Sequence, residues 1–332
     1  MSELAKKFIS AFVISLLVFA VSAAVVAGAL SIGRDKYTPP VDSQSEIDGE
    51  SFNLLLIMTD YAPDKFSDYD PDAVKNIFGR EVGSSGNADS LGGYRKIYAE
   101  DMVLLRFDKE RRQITYTRIP GNTLVSVGGV KTCLENIPAD HGTEYLVDKV
   151  HALFGVEIDT YILFTPENAA KALDKVGEIT YTVQCDMSYQ DAERGIDINI
   201  KAGSQKLDGK SAVAMLRFDS YKSFGTSRSE TAIGYLKRFV NKVARDFTYD
   251  DLRAIRITAL DESLVVSNFT PEEMDESIKL LKCSDELEMV ELSPVGQEQA
   301  VGSERYFWLD EKGTLEKFLP YRKINAPDNI WD

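Results

Sequence analysis

The longest hydrophobic segment of the chain is an uncharged run over residues 8–32. A helix of that length reaches about 38 Å, which is enough to cross a hydrocarbon core of roughly 30 Å with some tilt. A secretory signal peptide has a shorter apolar core of about 7–15 residues, followed by small residues at a cleavage site. Ala23, Ala24 and Ala27 offer such residues, so a cleaved leader is the alternative. The length favours an uncleaved signal-anchor, a single transmembrane helix.

The charges beside this run predict its orientation. Lys6 and Lys7 lie just before it, and positive residues on a short flank stay on the cytoplasmic side. The predicted location is therefore the cell membrane, crossed once, with the C-terminal part outside. The predicted divisions are a cytoplasmic stub over residues 1–7, the anchor over 8–32, a polar Pro- and Ser-containing linker over 33–50, and one extracellular domain over 51–332.

The remaining pattern alternates between strand and helix periodicities. Residues 52–58 are almost continuously apolar, which is typical of a strand buried on both faces. Residues 101–107 and 113–118 predict a hairpin with a charged turn. A helix over 143–154, capped by Thr143 and ended by Gly155, precedes a strand over 159–164. A second helix, capped by Thr165 and ended by Gly177, precedes a strand over 179–185.

Three more segments complete the predicted order of elements. They are an amphipathic helix over 229–246, a strand near 264–266 followed by a helix opened by Thr270, and a strand over 288–292. This order predicts an α/β fold: a three-layer α-β-α sandwich with a mixed central sheet, preceded by one transmembrane helix.

Composition narrows the function classes. The net charge is −15, and a strongly acidic surface repels nucleic acid, so no nucleic-acid partner is expected. Three distant cysteines and two histidines give neither a disulfide framework nor the spacing of a zinc site. The chain also lacks a GxSxG motif and a P-loop, so nucleophilic catalysis has no support.

Two acids lie at the ends of predicted core strands. Asp60 directly follows the first strand, and Asp101 begins the second. If these strands are antiparallel neighbours, both carboxylates lie at one edge, where they can bind Mg²⁺ together with ligand phosphate oxygens. The alternative is that each acid only caps a loop.

Three arginines are candidates for phosphate binding. Arg118 lies at the end of the hairpin, Arg217 follows an apolar helical stretch, and Arg228 precedes the long amphipathic helix. A guanidinium group binds phosphate oxygens through paired donors. The alternative, a surface salt bridge, is the commoner role of arginine in a protein with excess acid.

The order of several motifs resembles that of the LytR-CpsA-Psr (LCP) family of bacterial cell-envelope proteins. The motifs are NLLLIMTD at 53–60, DMVLLRFDKERRQITYTRIPGNT at 101–123, IKAGSQKLDGKSAVAMLRF at 200–218 and LVVSNFTPEEM at 264–274. The similarity extends over roughly residues 52–319, together with the single N-terminal anchor.

The resemblance implies a function. Members of this family transfer a glycopolymer from a polyprenyl pyrophosphate lipid to peptidoglycan, using Mg²⁺, paired aspartates and several arginines, and hold the lipid tail in an apolar pocket. Asp60 and Asp101 match the metal-side aspartates. Arg217 matches the first arginine of the RxR motif, and Arg228 the arginine ahead of the later RQ pair. The expected catalytic residues are Asp101 and Arg217, with Arg118, Arg217 and Arg228 on the pyrophosphate.

The family's charged motifs are incomplete here. Loss of one donor to a developing anion costs about 3–4 kcal/mol, so several losses would remove most of the catalysis. The departures are Gly121 and Asn122 in place of the last two residues of IPRD, Asp219 for the second arginine of RxR, Thr231 and Ala232 for RQ, and Tyr98, Ala99 and Glu100 where an arginine precedes the second aspartate. Arg118 and Arg95 are the candidate replacements.

These observations lead to three hypotheses. The first is an LCP-like ectodomain, on a Gram-positive type of cell, that binds a polyprenyl-phosphate lipid carrier and its anionic glycopolymer with weakened, altered or absent transfer to peptidoglycan. The second is an active transferase with a rearranged set of cations. The third is a non-enzymatic envelope scaffold or regulator that keeps the fold without the chemistry. Convergence of the arginines on the two aspartates beside an apolar cavity would favour a phosphate site.

Overall fold

The computed structural model describes residues 51–59, 98–108, 111–191, 196–218, 227–248, 251, 266–268, 288–301 and 304–321. Within these ranges, no helix combines the length and apolar character needed to cross a membrane. The predicted stub, anchor and linker over residues 1–50 lie outside the described residues, as does the helix predicted at Thr270.

The described elements are numbered in chain order. The strands are β1 Ser51–Thr59, β2 Ala99–Asp108, β3 Gln113–Pro120, β4 Leu124–Val127, β5 Val130–Cys133, β6 Thr160–Phe164, β7 Ile179–Val183, β8 Met187–Asp191, β9 Ile196–Ile200, β10 Gly203–Leu207, β11 Val266–Ser267, β12 Glu288–Glu291, β13 Gly296–Val301 and β14 Glu304–Leu309. The α-helices are α1 Ile137–His141, α2 Thr143–Phe154, α3 Pro166–Val176, α4 Gly209–Arg217, α5 Arg228–Asp246 and α6 Glu311–Phe318, and short 3₁₀ turns cover Leu134–Asn136 and Leu319–Tyr321.

A mixed six-stranded sheet forms the centre of the fold, with strand order β11-β6-β1-β2-β3-β12. Strand β1 is parallel to β6 and antiparallel to β2, and β2 is antiparallel to β3. The predicted hairpin and the mixed sheet are both confirmed.

The apolar run of β1 is buried on both faces because successive strand residues point to opposite sides. Leu54 belongs to one core cluster, and Leu55 and Ile57 belong to a second. Helices α3, α4 and α5 supply residues to the first cluster, whereas α1, α2 and α6 supply residues to the second. The sheet is therefore covered by helices on both faces, as predicted.

Local caps fix the helices on the first face. The Thr165 side chain accepts a hydrogen bond from the Asn168 amide at 3.1 Å, which opens α3 as predicted. Helix α5 begins with a capping box, in which Ser227 and Glu230 each bind the other's backbone amide. Both helix starts are therefore set by their own sequence.

Thr143 is not a cap, contrary to the prediction. Helix α2 begins at Thr143 itself, and Gly142 is at once the last flanking residue of α1 and the first of α2. Gly142 has φ 89, a conformation that glycine adopts without strain. The predicted stop at Gly155 is confirmed, with φ 64.

Among the described residues, four two-stranded ribbons lie outside the central sheet. The strand predicted over 179–185 is present as β7, but it belongs to one of these ribbons, and the other strands of the ribbons were not predicted. The ribbons pair β4 with β5, β7 with β10, β8 with β9, and β13 with β14. The last of these contacts the end of β3: the Phe307 amide donates to the Asn122 carbonyl at 3.1 Å, and the Asn122 side chain donates to the Arg305 carbonyl at 3.0 Å.

Candidate active site

The candidate site lies at the start of β2, where its pairing with β1 is irregular. Met58 is opposite Asp101, but Thr59 is opposite Ala99, so Glu100 is left out of the register. A bulge of this kind changes the direction of a side chain and is frequent beside active sites. It places Asp101 and Glu100 side by side at the end of two core strands.

Asp101 binds two arginines from different elements. Its Oδ1 accepts from Arg118 Nε at 3.1 Å, and its Oδ2 accepts from Arg228 Nη2 at 2.5 Å. Arg228 also donates from Nε to the Leu216 carbonyl at 2.7 Å, which ties the start of α5 to the end of α4. The Asp101 side chain is only 11% exposed, so these charge-assisted hydrogen bonds are weakly screened.

Glu100 binds the third arginine. Arg217 Nη2 donates to both oxygens of the Glu100 carboxylate, at 2.8 and 2.9 Å, and both side chains are 11% exposed. Arg217 Nε is buried and finds no hydrogen-bond partner among the described residues. Three guanidinium groups and two carboxylates leave this cluster slightly positive, in a chain whose net charge is −15.

Helix termini position two of these arginines. Arg217 is the last residue of α4, whose start is capped by Asp208 accepting from the Ser211 amide at 2.8 Å. Arg228 is the first residue of α5. Asp219, which follows closely after Arg217 in sequence, lies outside the described residues.

An apolar cavity opens beside the cluster, between the sheet and helices α3, α4 and α5. Its space, including the open mouth, is about 910 Å³. Asp101, Arg217 and Arg228 lie among its lining residues, and the other residues that line it are Leu56, Met58, Val103, Leu105, Tyr116, Phe164, Ala169, Leu173, Val213, Leu216, Ala232, Tyr235, Leu236 and Phe239. The cavity therefore combines an apolar interior with charges at one end.

The two tyrosines of the cavity are neutral. Burial raises the pKa of Tyr116 far above its usual value, and the Asp101 carboxylate adds to this rise. Burial likewise raises the pKa of Tyr235, with smaller additions from Asp174 and Asp208. Among the residues that line the cavity, Asp101 therefore supplies the negative charge.

The sequence-predicted residues fall into two groups. The structure brings Asp101, Arg217 and Arg228 together in the lining of the cavity, and it places Arg118 against Asp101. Asp60, Arg95 and Asp219 lie outside the described residues, although Thr59, the neighbour of Asp60, is opposite Ala99. Roles in catalysis remain predictions for all of them.

Glu100 was noted only as a departure from the family pattern, and its role in the cluster was missed. Its position next to Asp101 is a signal in the sequence, but strict alternation would place adjacent side chains on opposite faces. Only the irregular register reveals that Glu100 reaches the same arginine cluster.

The described residues do not form a complete metal site. They contain no group of three His, Cys, Asp or Glu side chains placed to hold an ion. Each Asp101 oxygen accepts one guanidinium hydrogen bond, which leaves a further lone pair for a cation. A Mg²⁺ ion would need additional oxygens, from Asp60 and from ligand phosphates.

Gly121 occupies the place of an arginine in the family's IPRD motif, and it is tightly packed. A Cβ atom there would lie 2.8 Å from the carbonyl oxygens of both Ala99 and Glu100. The absence of a side chain therefore lets the end of β3 pack against the bulged start of β2.

Comparisons with known proteins agree with this geometry. The LytR_cpsA_psr family model matches residues 86–246, a range that holds the whole arginine cluster. The predicted resemblance to the LytR-CpsA-Psr family is confirmed over these residues. A curated relative, an uncharacterized protein of Staphylococcus aureus, is 28% identical over 121 residues, which are 36% of this chain and 30% of the length of that protein.

Solved structures of LCP proteins share the fold. TagV of Bacillus subtilis matches with a TM-score of 0.59 at 17% identity, over 83% of this chain and 97% of that chain. TagT bound to LIIa-WTA matches with a TM-score of 0.57 at 16% identity, over 90% of this chain and 97% of that chain. At these identities the likeness establishes the fold, and the function has to be argued from the site.

Proposed function

We propose that this LCP domain binds a polyprenyl phosphate or pyrophosphate that carries a cell-envelope glycopolymer. One observation carries the proposal: Arg217 and Arg228 line one end of an otherwise apolar cavity, and Arg118 binds the Asp101 carboxylate beside them. A ligand that matches this arrangement has a long apolar tail and an anionic head.

The cavity suits the tail of such a lipid. Apart from Asp101, Arg217 and Arg228 at the charged end, most of the residues that line it are aliphatic or aromatic, as is usual for a pocket that binds an apolar ligand. Each buried CH₂ group contributes about 0.8 kcal/mol, so even a partly inserted isoprenoid tail supplies most of the binding energy. The arginines then select the anionic head, because guanidinium groups match phosphate oxygens.

The transfer reaction fits the same geometry. An acceptor hydroxyl oxygen of peptidoglycan attacks the phosphorus that carries the glycopolymer, and a new P–O bond forms. The P–O bond to the polyprenyl phosphate breaks, that phosphate leaves with the electron pair, and the hydroxyl proton passes to solvent. Such a reaction needs charge neutralisation and in-line positioning more than a covalent catalyst. Mg²⁺, when held by Asp60 and Asp101, would neutralise the phosphates.

We expect the transfer activity to be weak. Every arginine of the cluster already pairs with a carboxylate, and pairing of this kind competes with phosphate. Thr231 and Ala232, where the family has its RQ pair, supply no charge to the cavity. The alternative is a non-enzymatic scaffold or regulator that has the same fold without transferase activity. In such a protein the arginine cluster would have no ligand.

The cellular context is part of the proposal. The uncharged run over residues 8–32 supports a single membrane anchor on a Gram-positive type of cell, with the domain outside. TagT, a structural relative, has been solved bound to LIIa-WTA, which supports a wall teichoic acid or a similar anionic polymer as the cargo.

Binding of farnesyl pyrophosphate to the full chain, measured by calorimetry, tests the proposal. Arg228→Gln should weaken binding by about 10–100-fold, because hydrogen bonds to charged groups contribute about 1.5–3 kcal/mol. Arg245→Gln is the matched control, since Arg245 pairs with Asp246 on the exposed side of α5 and loses the same charge. No binding to the unaltered chain would overturn the proposal.

Activity is measured separately, as release of polyprenyl phosphate from a glycan-linked polyprenyl pyrophosphate in the presence of Mg²⁺. Slow release that disappears in Asp101→Ala would identify a working enzyme. Binding without any release would leave a lipid-binding module, and neither binding nor release would favour the scaffold.

A further inference from the structure

Building on the proposed function, we propose that Glu100 is a specificity-determining residue that lowers the charge of the anion the site accepts. The Glu100 carboxylate pairs with Arg217 and offsets one positive charge of the cluster. The anionic head of a ligand therefore meets less net positive charge than three arginines would supply. The site is thereby tuned towards heads of low negative charge.

The backbone directs Glu100 into this position. In regular pairing, Glu100 would point away from the face that carries Asp101. The register passes from Met58–Asp101 to Thr59–Ala99, which leaves Glu100 in a bulge. The bulge brings its carboxylate to Arg217, which itself lines the cavity.

The packing of Gly121 makes the bulge hard to displace. Its Cα is close to the carbonyl oxygens of Ala99 and Glu100, where a Cβ would lie at 2.8 Å from each. The Glu135 backbone amide also donates a hydrogen bond to the Gly121 carbonyl at 2.9 Å, which links Gly121 to the 3₁₀ turn over Leu134–Asn136. The Gly121 backbone therefore packs directly against the carbonyl groups of Ala99 and Glu100 in the bulge.

Arg217 retains capacity for a ligand despite this pairing. Both contacts with Glu100 use the same atom, Nη2, and Nε is buried with no hydrogen-bond partner among the described residues. Arg217 also lines the cavity, so a phosphate oxygen there can bind its guanidinium group while Glu100 stays. The two anions are then neighbours in a poorly screened site, and like charges so placed repel strongly.

A series of ligands with one tail and different charge tests this assignment. Farnesol, farnesyl phosphate and farnesyl pyrophosphate are titrated into the full chain and into Glu100→Gln. We expect no change for farnesol, a gain of about threefold for the monophosphate and a gain of tenfold or more for the pyrophosphate. Glu178→Gln, which removes an exposed partner of Lys206 and the same formal charge, is the control and should leave all three unchanged.

The outcomes separate this inference from the proposed function. If Glu100 only positions Arg217, Glu100→Gln weakens both phosphates, and the inference is wrong while lipid binding stands. Equal changes for all three ligands would indicate a change in the cavity and would also overturn it. Failure of the unaltered chain to bind any farnesyl phosphate would remove the proposed function itself.

Discussion

Strand β2 carries an aspartate at each end, and each one binds two arginines. Asp101 lies at the start, on the face of the cavity described above, and Asp108 lies at the end, on the opposite face. The space beside Asp101 is about 910 Å³, whereas the cavity beside the Asp108 cluster measures only about 210 Å³. The two clusters contain similar ion pairs and differ in the space beside them that a ligand could occupy.

The Asp108 cluster has the features of a structural site. Arg106 donates to Asp108 at 3.4 Å and to the Asn53 side chain at 3.2 Å, and Arg111 donates to Asp108 at 3.3 Å. Burial lowers the pKa of Arg106, and the Asp108 carboxylate opposes that shift. The charges of this cluster therefore neutralise one another, and the contacts between Asp108 and Arg111 link the end of β2 to the residues before β3.

The largest predicted difference between the clusters is in stability. Asp108→Ala should lower the free energy of unfolding by about 3–5 kcal/mol, because it leaves a buried guanidinium group unpaired. Asp101→Ala should cost less than half as much, since its arginines can turn towards water in the cavity. Urea denaturation of both variants measures the difference, and equal losses would show that the two clusters are alike.

A smaller effect is expected where β3 meets the bulge. Gly121→Ala should lower the free energy of unfolding by about 1–3 kcal/mol, since a Cβ would press on two carbonyl oxygens at 2.8 Å. Ser126→Ala, on an exposed position of β4, is the control and should change it by less than about 0.5 kcal/mol. An unchanged Gly121→Ala variant would mean that the close approach can relax.

The smallest predicted effect concerns the cavity alone. Leu236→Trp adds volume to a residue that lines it and should weaken farnesyl pyrophosphate binding about tenfold. Inorganic pyrophosphate, which has no tail, should bind as before, and the free energy of unfolding should change by about 1 kcal/mol or less. Calorimetry with the two ligands checks this. Equal weakening of both would place the tail elsewhere.

Much of the fold follows from the sequence because its signals are local. The apolar run of β1, the Thr165 cap and the glycine stops at Gly155 and Gly177 each act within a few residues. The polar hairpins were missed because they carry no such local signal. Strand β13 is exposed throughout, so no alternation of apolar and polar residues marks it.

The candidate site was predicted only in part. Motif order identified Asp101, Arg217 and Arg228, and position in the hairpin identified Arg118. Which carboxylate each arginine binds depends on a one-residue irregularity in the register, and no local pattern encodes that. Glu100 was therefore read as a missing arginine, whereas in the structure it is the partner of one.

The turn at Gly121 and Asn122 has a consequence for the far end of the chain. Gly121 places a bare backbone against the bulge, and the Asn122 side-chain amide donates a hydrogen bond to the β13–β14 hairpin. These two residues therefore connect the start of β2 to the C-terminal part of the chain. A C-terminal truncation that removes residue 304 and everything after it would break the Asn122 contacts with Arg305 and Phe307. We expect such a truncation to loosen the packing next to the charged end of the cavity.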